Sequence, residues 1–189
     1  MPSNREMPVR VTPPYKRRLE LPYCCVPAIL QMVFERRQMP VPEQELIGNE
    51  LGLIVPEDAT RHFSWVRTGT KPQSGWGTQT RSEEFSIQRY FDRHNVALQL
   101  FRYRAASIAS LDGFLMDHLN QDDDVVVCID QRRLTEGGDE EHIALVQGLD
   151  GGSVQLVDPA ANSPDFHIVS LSQLVGVLIE VWIISQRPS

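Results

Sequence analysis

The chain has 189 residues, the size of one domain, with 41% hydrophobic, 23% charged and 7% aromatic residues, a composition that excludes a disordered chain and is enough to build its own core. Acidic residues outnumber basic ones 25 to 18, for a net charge of -7. A general phosphate-binding surface needs the opposite balance, so nucleic acid is not an expected partner.

No stretch comes near the roughly 18 consecutive apolar residues that span a bilayer, and no membrane span is expected. The first 20 residues have no apolar core, so a secretory signal is not expected and a cytoplasmic location is. Three cysteines, two of them adjacent at Cys24 and Cys25 and the third at Cys128, make a poor disulfide framework and suit a reducing compartment. No Cys or His pair falls at zinc-finger spacing, and neither metal nor cofactor is expected.

Residues 1–20 carry Pro2, Pro8, Pro13 and Pro14 and the run Lys16-Arg17-Arg18, which predicts a solvated Pro/Arg-rich arm ahead of a single domain over 21–189. From Cys24, the dense apolar series Ala28, Ile29, Leu30, Met32, Val33 and Phe34 predicts a buried helix ending at Arg36-Arg37. A second helix opens at Pro42 and closes at Gly52. Residues 55–81 show neither helical nor strand periodicity and form an irregular insertion. Connections of that length inside a domain are uncommon and often functional. Gly75-Trp76-Gly77-Thr78-Gln79 is therefore a candidate cleft wall, with a structural loop anchored by Trp76 as the equal alternative.

Ser82-Glu83-Glu84 is expected to cap a helix carrying Phe85, Ile87, Tyr90 and Phe91 and ending at Asn95. A strand over 96–103 and a helix over 107–120 follow. Strands are then predicted at 124–130, 142–149, 153–158, 166–169 and 178–184, with a short helix at 170–175. Asp150-Gly151-Gly152 marks a tight hairpin. Helices first and strands later indicate an α+β domain on an antiparallel sheet.

Cys25 falls in the first turn of the most apolar helix, a placement that Pro27 supports. The helix dipole and open N–H groups there favour a thiolate. His142 begins one strand and Asp158 ends the next, and reversal through the Asp-Gly-Gly turn puts them at the same end of a hairpin. A thiol, an imidazole to take its proton and a carboxylate to orient that imidazole are the parts of a nucleophilic catalyst.

Cys25-Val26-Pro27-Ala28 at a helix start, His142-Ile143-Ala144-Leu145-Val146-Gln147-Gly148-Leu149-Asp150, and Asp158-Pro159 together resemble the papain-like cysteine peptidases, and most closely the double-glycine leader peptidases and their stand-alone relatives. In that family a Cys-Gly-Pro-Ala, a His followed by apolar residues and Gly-Tyr-Asp, and a later Asp-Pro occur in this order. The resemblance implies a papain-like fold, a peptide or protein substrate and a catalytic set of Cys25, His142 and Asp158. It covers the nucleophile helix and the C-terminal hairpins, and finds no counterpart for the insertion. Val26 stands where the family has Gly. The glutamine expected six residues before the nucleophile, which donates to the oxyanion, would be Leu19, and its neighbour Glu20 donates only when protonated. Gln79 and Tyr23 are the substitute donors the sequence offers.

Cys24 is the competing nucleophile, and Cys128 is expected to be a buried apolar residue. His62, His94, His118 and His167 are assigned no partner, and Asp122-Asp123-Asp124 is expected to be a solvated connection. The activity implied is hydrolysis of an amide bond by a cysteine peptidase or amidase. Acyl transfer on the same fold and an inactive binding module remain as alternatives.

Overall fold

The computed structural model describes residues 8–130 and 141–188. Strands β1 (Val9–Arg10), β4 (Leu98–Arg104), β5 (Asp124–Ile129), β6 (His142–Asp150), β7 (Ser153–Val157), β8 (His167–Ser170) and β9 (Leu178–Gln186) form one seven-stranded sheet. Its order is β4-β9-β5-β6-β7-β8, every pairing is antiparallel, and β1 joins β6. Two short strands, β2 (Ile54–Val55) and β3 (Arg67–Thr68), pair apart from it. The helices are α1 (Cys25–Arg36), α2 (Gln44–Glu50), α3 (Ile87–Arg93), α4 (Leu111–Asn120) and α5 (Leu171–Val177). This is the expected α+β architecture.

α1 is the hub of the core, with Val26 and every residue from Ala28 to Phe34 buried. All six residues of β5 are buried as well, so the centre of the sheet is covered on both faces. The Asp-Gly-Gly turn forms as read: Asp150 pairs with Ser153, and Gly151 and Gly152 take φ values of 53° and 84°, the left-handed pair a two-residue hairpin demands.

Residues 9–18, expected to be a solvated arm, are built into the domain. β1 pairs with Leu149 and Gly148 of β6, on the edge left open where β5 stops pairing at Leu145. A side chain at Gly148 would bring a Cβ within 2.8 Å of the Val9 carbonyl oxygen, so the close approach depends on glycine. The bulge residue Gln147 holds the arm with both ends of its amide, accepting from the Tyr15 N–H and donating to the Val11 carbonyl. The remainder of the predicted arm, 1–7, lies outside the described residues.

Two further expectations change. The cap of α3 is Ser86, whose hydroxyl accepts from the Arg89 N–H, with 82–85 in turns before it. α4 starts at Leu111 behind its cap Ser110. Of the acidic run, only Asp122 is solvated. Asp124 is fully buried and Asp123 nearly so. Asp124 accepts from the Tyr15 hydroxyl at 2.7 Å, from Arg36 at 2.9 Å and from Arg37. Asp123 meets His118 Nδ1 at 2.7 Å. The two arginines at the end of α1 are thereby tied to the start of β5.

Candidate active site

That tie orients the end of the molecule that carries Cys25. α1 has 12 residues and β5 has six; at about 1.5 Å and about 3.3 Å of rise per residue the two have nearly equal lengths. With the C-terminus of α1 held at Asp124, its N-terminus lies toward the far end of β5, where the Cys25 thiol is close enough to interact with Cys128. There Ile129 pairs with His142. A second strap works from the other side: the Glu20 N–H donates to the Pro159 carbonyl at 2.9 Å. Arg17 donates to the carbonyls of Asp158, Ala160 and Ser163. The segment leading into Cys25 is thus bound to the turn that carries Asp158.

His142 and Asp158 meet as the hairpin arithmetic predicted. His142 Nε2 lies 2.7 Å from Asp158 Oδ1, and both side chains are buried. Asp158 also accepts from the Ala160 N–H at 2.8 Å and the Ser163 hydroxyl at 2.9 Å. Burial alone would raise its carboxyl, but the hydrogen bond and charge of His142, with the Ala160 and Ser163 donors, outweigh it and hold the group below the usual carboxylate value. Nε2 is therefore the protonated nitrogen, donating to an ionised carboxylate. Because the folded-state value is lowered, this carboxylate stabilises the fold above the ordinary carboxyl range, and its contribution is lost as pH falls through the lowered value.

The three thiols separate by environment. Cys24 is fully buried in a satellite core with Leu53, Val55 and Ala59, and burial, then Glu20 and Glu45, push it up to about 12. Cys128 is buried mid-strand and is also pushed up to about 12, by burial and then by Glu141 and Glu180. Cys25 alone is part-exposed. Its thiol is nevertheless pushed well above its ordinary value, first by burial and then by Glu20, with the Val26 N–H pulling the other way. The expected resting thiolate is thus corrected: loss of water around the sulfur outweighs the one helix N–H that reaches it. Glu20→Gln removes the largest opposing charge and is expected to make Cys25 react with iodoacetamide several-fold faster at neutral pH, with the rate measured by mass spectrometry.

The oxyanion candidates are placed as follows. Leu19 is 55% exposed, and its carbonyl accepts from the Gln44 amide. Gln79 spends its amide inside its own loop, donating to Gly77 and Gly75 carbonyls and accepting from Ser74. It staples the loop. Tyr23 adopts a left-handed backbone with φ 65°, and its carbonyl lies under Gly77, 3.4 Å from where a Cβ would sit. Trp76 is half-buried beside it in sequence. The 75–81 segment is therefore a wall behind the start of α1, secured by Arg102 to Thr80, by Arg81 to Glu141 beside His142, and by bridges between Ile54 and Gly77.

Two histidines assigned no partner have one: His94 pairs with Glu50 at 2.8 Å, and His118 with Asp123. Among the described residues, His62 receives only the neighbouring Arg61 guanidinium at 3.3 Å. His167 was also missed. Its Nε2 stands 3.6 Å from Asp158 Oδ2, a placement set by β8 pairing and by nothing local in sequence.

No protein-family model and no curated protein matches the chain. Solved structures do. A Bacillus anthracis protein assigned as a C39-like peptidase is similar over 97% of this chain and 100% of its own, with TM-score 0.58 and 16% identity. The peptidase domain of Streptococcus ComA, a bi-functional ABC transporter involved in a quorum-sensing pathway, is similar over 93% of this chain and 99% of its own, with TM-score 0.57 and 13% identity. A double glycine motif protease from an AMS/PCAT transporter, in complex with the leader peptide, covers 96% of this chain and 99% of its own, with TM-score 0.53 and 15% identity. Likeness at these identities speaks for architecture, and on it the chain has the papain-like α+β fold shared by the C39-like and double-glycine peptidases.

Proposed function

We propose that the protein is a cysteine hydrolase that cleaves an amide bond in a peptide or protein, with Cys25 as nucleophile, His142 as general base and Asp158 as the carboxylate that orients it. The observation that carries this reading is the buried His142–Asp158 pair at 2.7 Å, at the end of the sheet toward which the α1 terminus bearing Cys25 runs.

Asp158 takes Nε2 of His142, so proton exchange with the thiol falls to Nδ1. The thiol rests protonated, because burial and Glu20 oppose its ionisation, and His142 removes the proton as sulfur attacks the substrate carbonyl carbon. Negative charge develops on the carbonyl oxygen. The first N–H groups of a helix have no intrahelical acceptor, so the Cys25 N–H is the donor supplied to that oxygen. Collapse of the intermediate breaks the C–N bond, His142 returns the proton to the leaving amine, and water then hydrolyses the thioester with His142 as base. The peptide substrate class is supported by the fold relative that binds a leader peptide.

A second reading, a module of this fold that binds peptides without turning them over, is favoured by the exposed Leu19 where an amide donor is missing. A panel of internally quenched peptides separates the two. The hydrolase reading expects turnover in the native chain and none in Cys25→Ser; peptide binding with no turnover in either chain favours the module and overturns the first reading.

A further inference from the structure

The carboxylate of Asp158 lies between two imidazoles. Oδ1 accepts from His142 at 2.7 Å. On the other side, Nε2 of His167 points at Oδ2 from 3.6 Å, too far for a hydrogen bond. That nitrogen is shielded from water and has no hydrogen-bond partner among the described residues, although the side chain as a whole is 37% exposed. A shielded ring nitrogen held just beyond bonding distance of a carboxylate has one evident interaction left to make. The nearest charged residue in sequence, Asp165, and the arginine that meets Asp158 are already engaged. Asp165 is paired with Arg17 at 2.8 Å, and Arg17 is otherwise spent on carbonyls. The cross-strand neighbour of His167 is Leu156, which carries no charge.

We infer that His167 is a positioning residue, a second imidazole on the Asp158 carboxylate that competes with His142 for its charge whenever His167 is protonated. Imidazoles change charge in the physiological range. A proton on His167 places a cation beyond the carboxylate from His142, which disfavours the imidazolium of His142 and makes it a weaker base. The inference rests on His142 being the base of the proposed reaction, and it gives that base a sensitivity to acid that the His142–Asp158 pair alone lacks.

The test reads His142 directly. Side-chain histidine NMR titrations of the full chain are compared for the native protein, His167→Gln, Asp158→Asn and the double variant. Removing His167 is expected to raise the His142 midpoint by about 0.5–1 pH unit, the scale of one screened like charge across a carboxylate, and by less when Asp158 is already Asn, where only direct repulsion between the rings remains. An unchanged midpoint in His167→Gln overturns the inference, and so does an equal shift in the Asp158→Asn background. His167→Asn repeats the comparison should the Gln variant not fold. These outcomes do not depend on Cys25, so failure of the hydrolase reading and failure of this one are told apart.

Discussion

Cys25→Ala is expected to take amide hydrolysis to the uncatalysed background, because no second thiol can replace it: Cys24 is closed into the satellite core and Cys128 is buried mid-strand. His142→Ala is expected to cost about 10²–10⁴ in rate, the range that positioned acid–base groups contribute. Asp158→Asn should cost less than Cys25→Ala, since it acts through the ring it orients. Asn keeps the size of the side chain, so this variant should remain folded. Turnover measured beside a melting curve for each variant separates chemistry from stability. Unchanged turnover in Asp158→Asn would reduce Asp158 to a turn residue before Pro159.

Asp124→Ala is expected to be the most damaging single change to stability, at about 3–5 kcal/mol. The Asp124 carboxylate is fully buried, the Arg36 side chain is 2% exposed, and removal of the acid leaves a guanidinium buried with only the more exposed Asp122 to meet it. It also strips the Tyr15 hydroxyl of its acceptor, loosening the N-terminal segment. Equilibrium denaturation in urea measures the loss. A change below about 1 kcal/mol would mean that water reaches these arginines and that the pair belongs to the surface class. Since this cluster also ties the end of α1 to the start of β5, partial loss of activity should accompany the loss of stability.

The His142–Asp158 pair was legible because its logic is local. His142 and Asp158 are joined by one hairpin whose turn is written in Asp150-Gly151-Gly152, and strand alternation does the rest. α1 was legible for the same reason, an unbroken apolar series with Pro27 in its first turn. What stayed hidden depends on contacts distant in sequence. β1 finds a partner only because β5 stops short along β6. β9 inserts between β4 and β5, which no local pattern announces. Asp124 read as a solvated charge because its partners, Arg36 and Arg37, precede it by almost 90 residues. Ser82 and Ser86 both fit a helix cap, and the apolar positions Ile87, Tyr90 and Phe91, all buried in the core, choose the later one. The Cys25 thiol was misjudged because a helix terminus is visible in sequence and desolvation is not.

The central claim, that Cys25 is a nucleophile served by His142, is tested most directly by mapping iodoacetamide adducts on the folded chain at neutral pH in the native protein and in His142→Ala. The account predicts that Cys25 is modified well before Cys24 and Cys128, and that its rate falls when His142 is removed. Equal labelling of the three cysteines, preference for Cys24, or a Cys25 rate indifferent to His142 would contradict it.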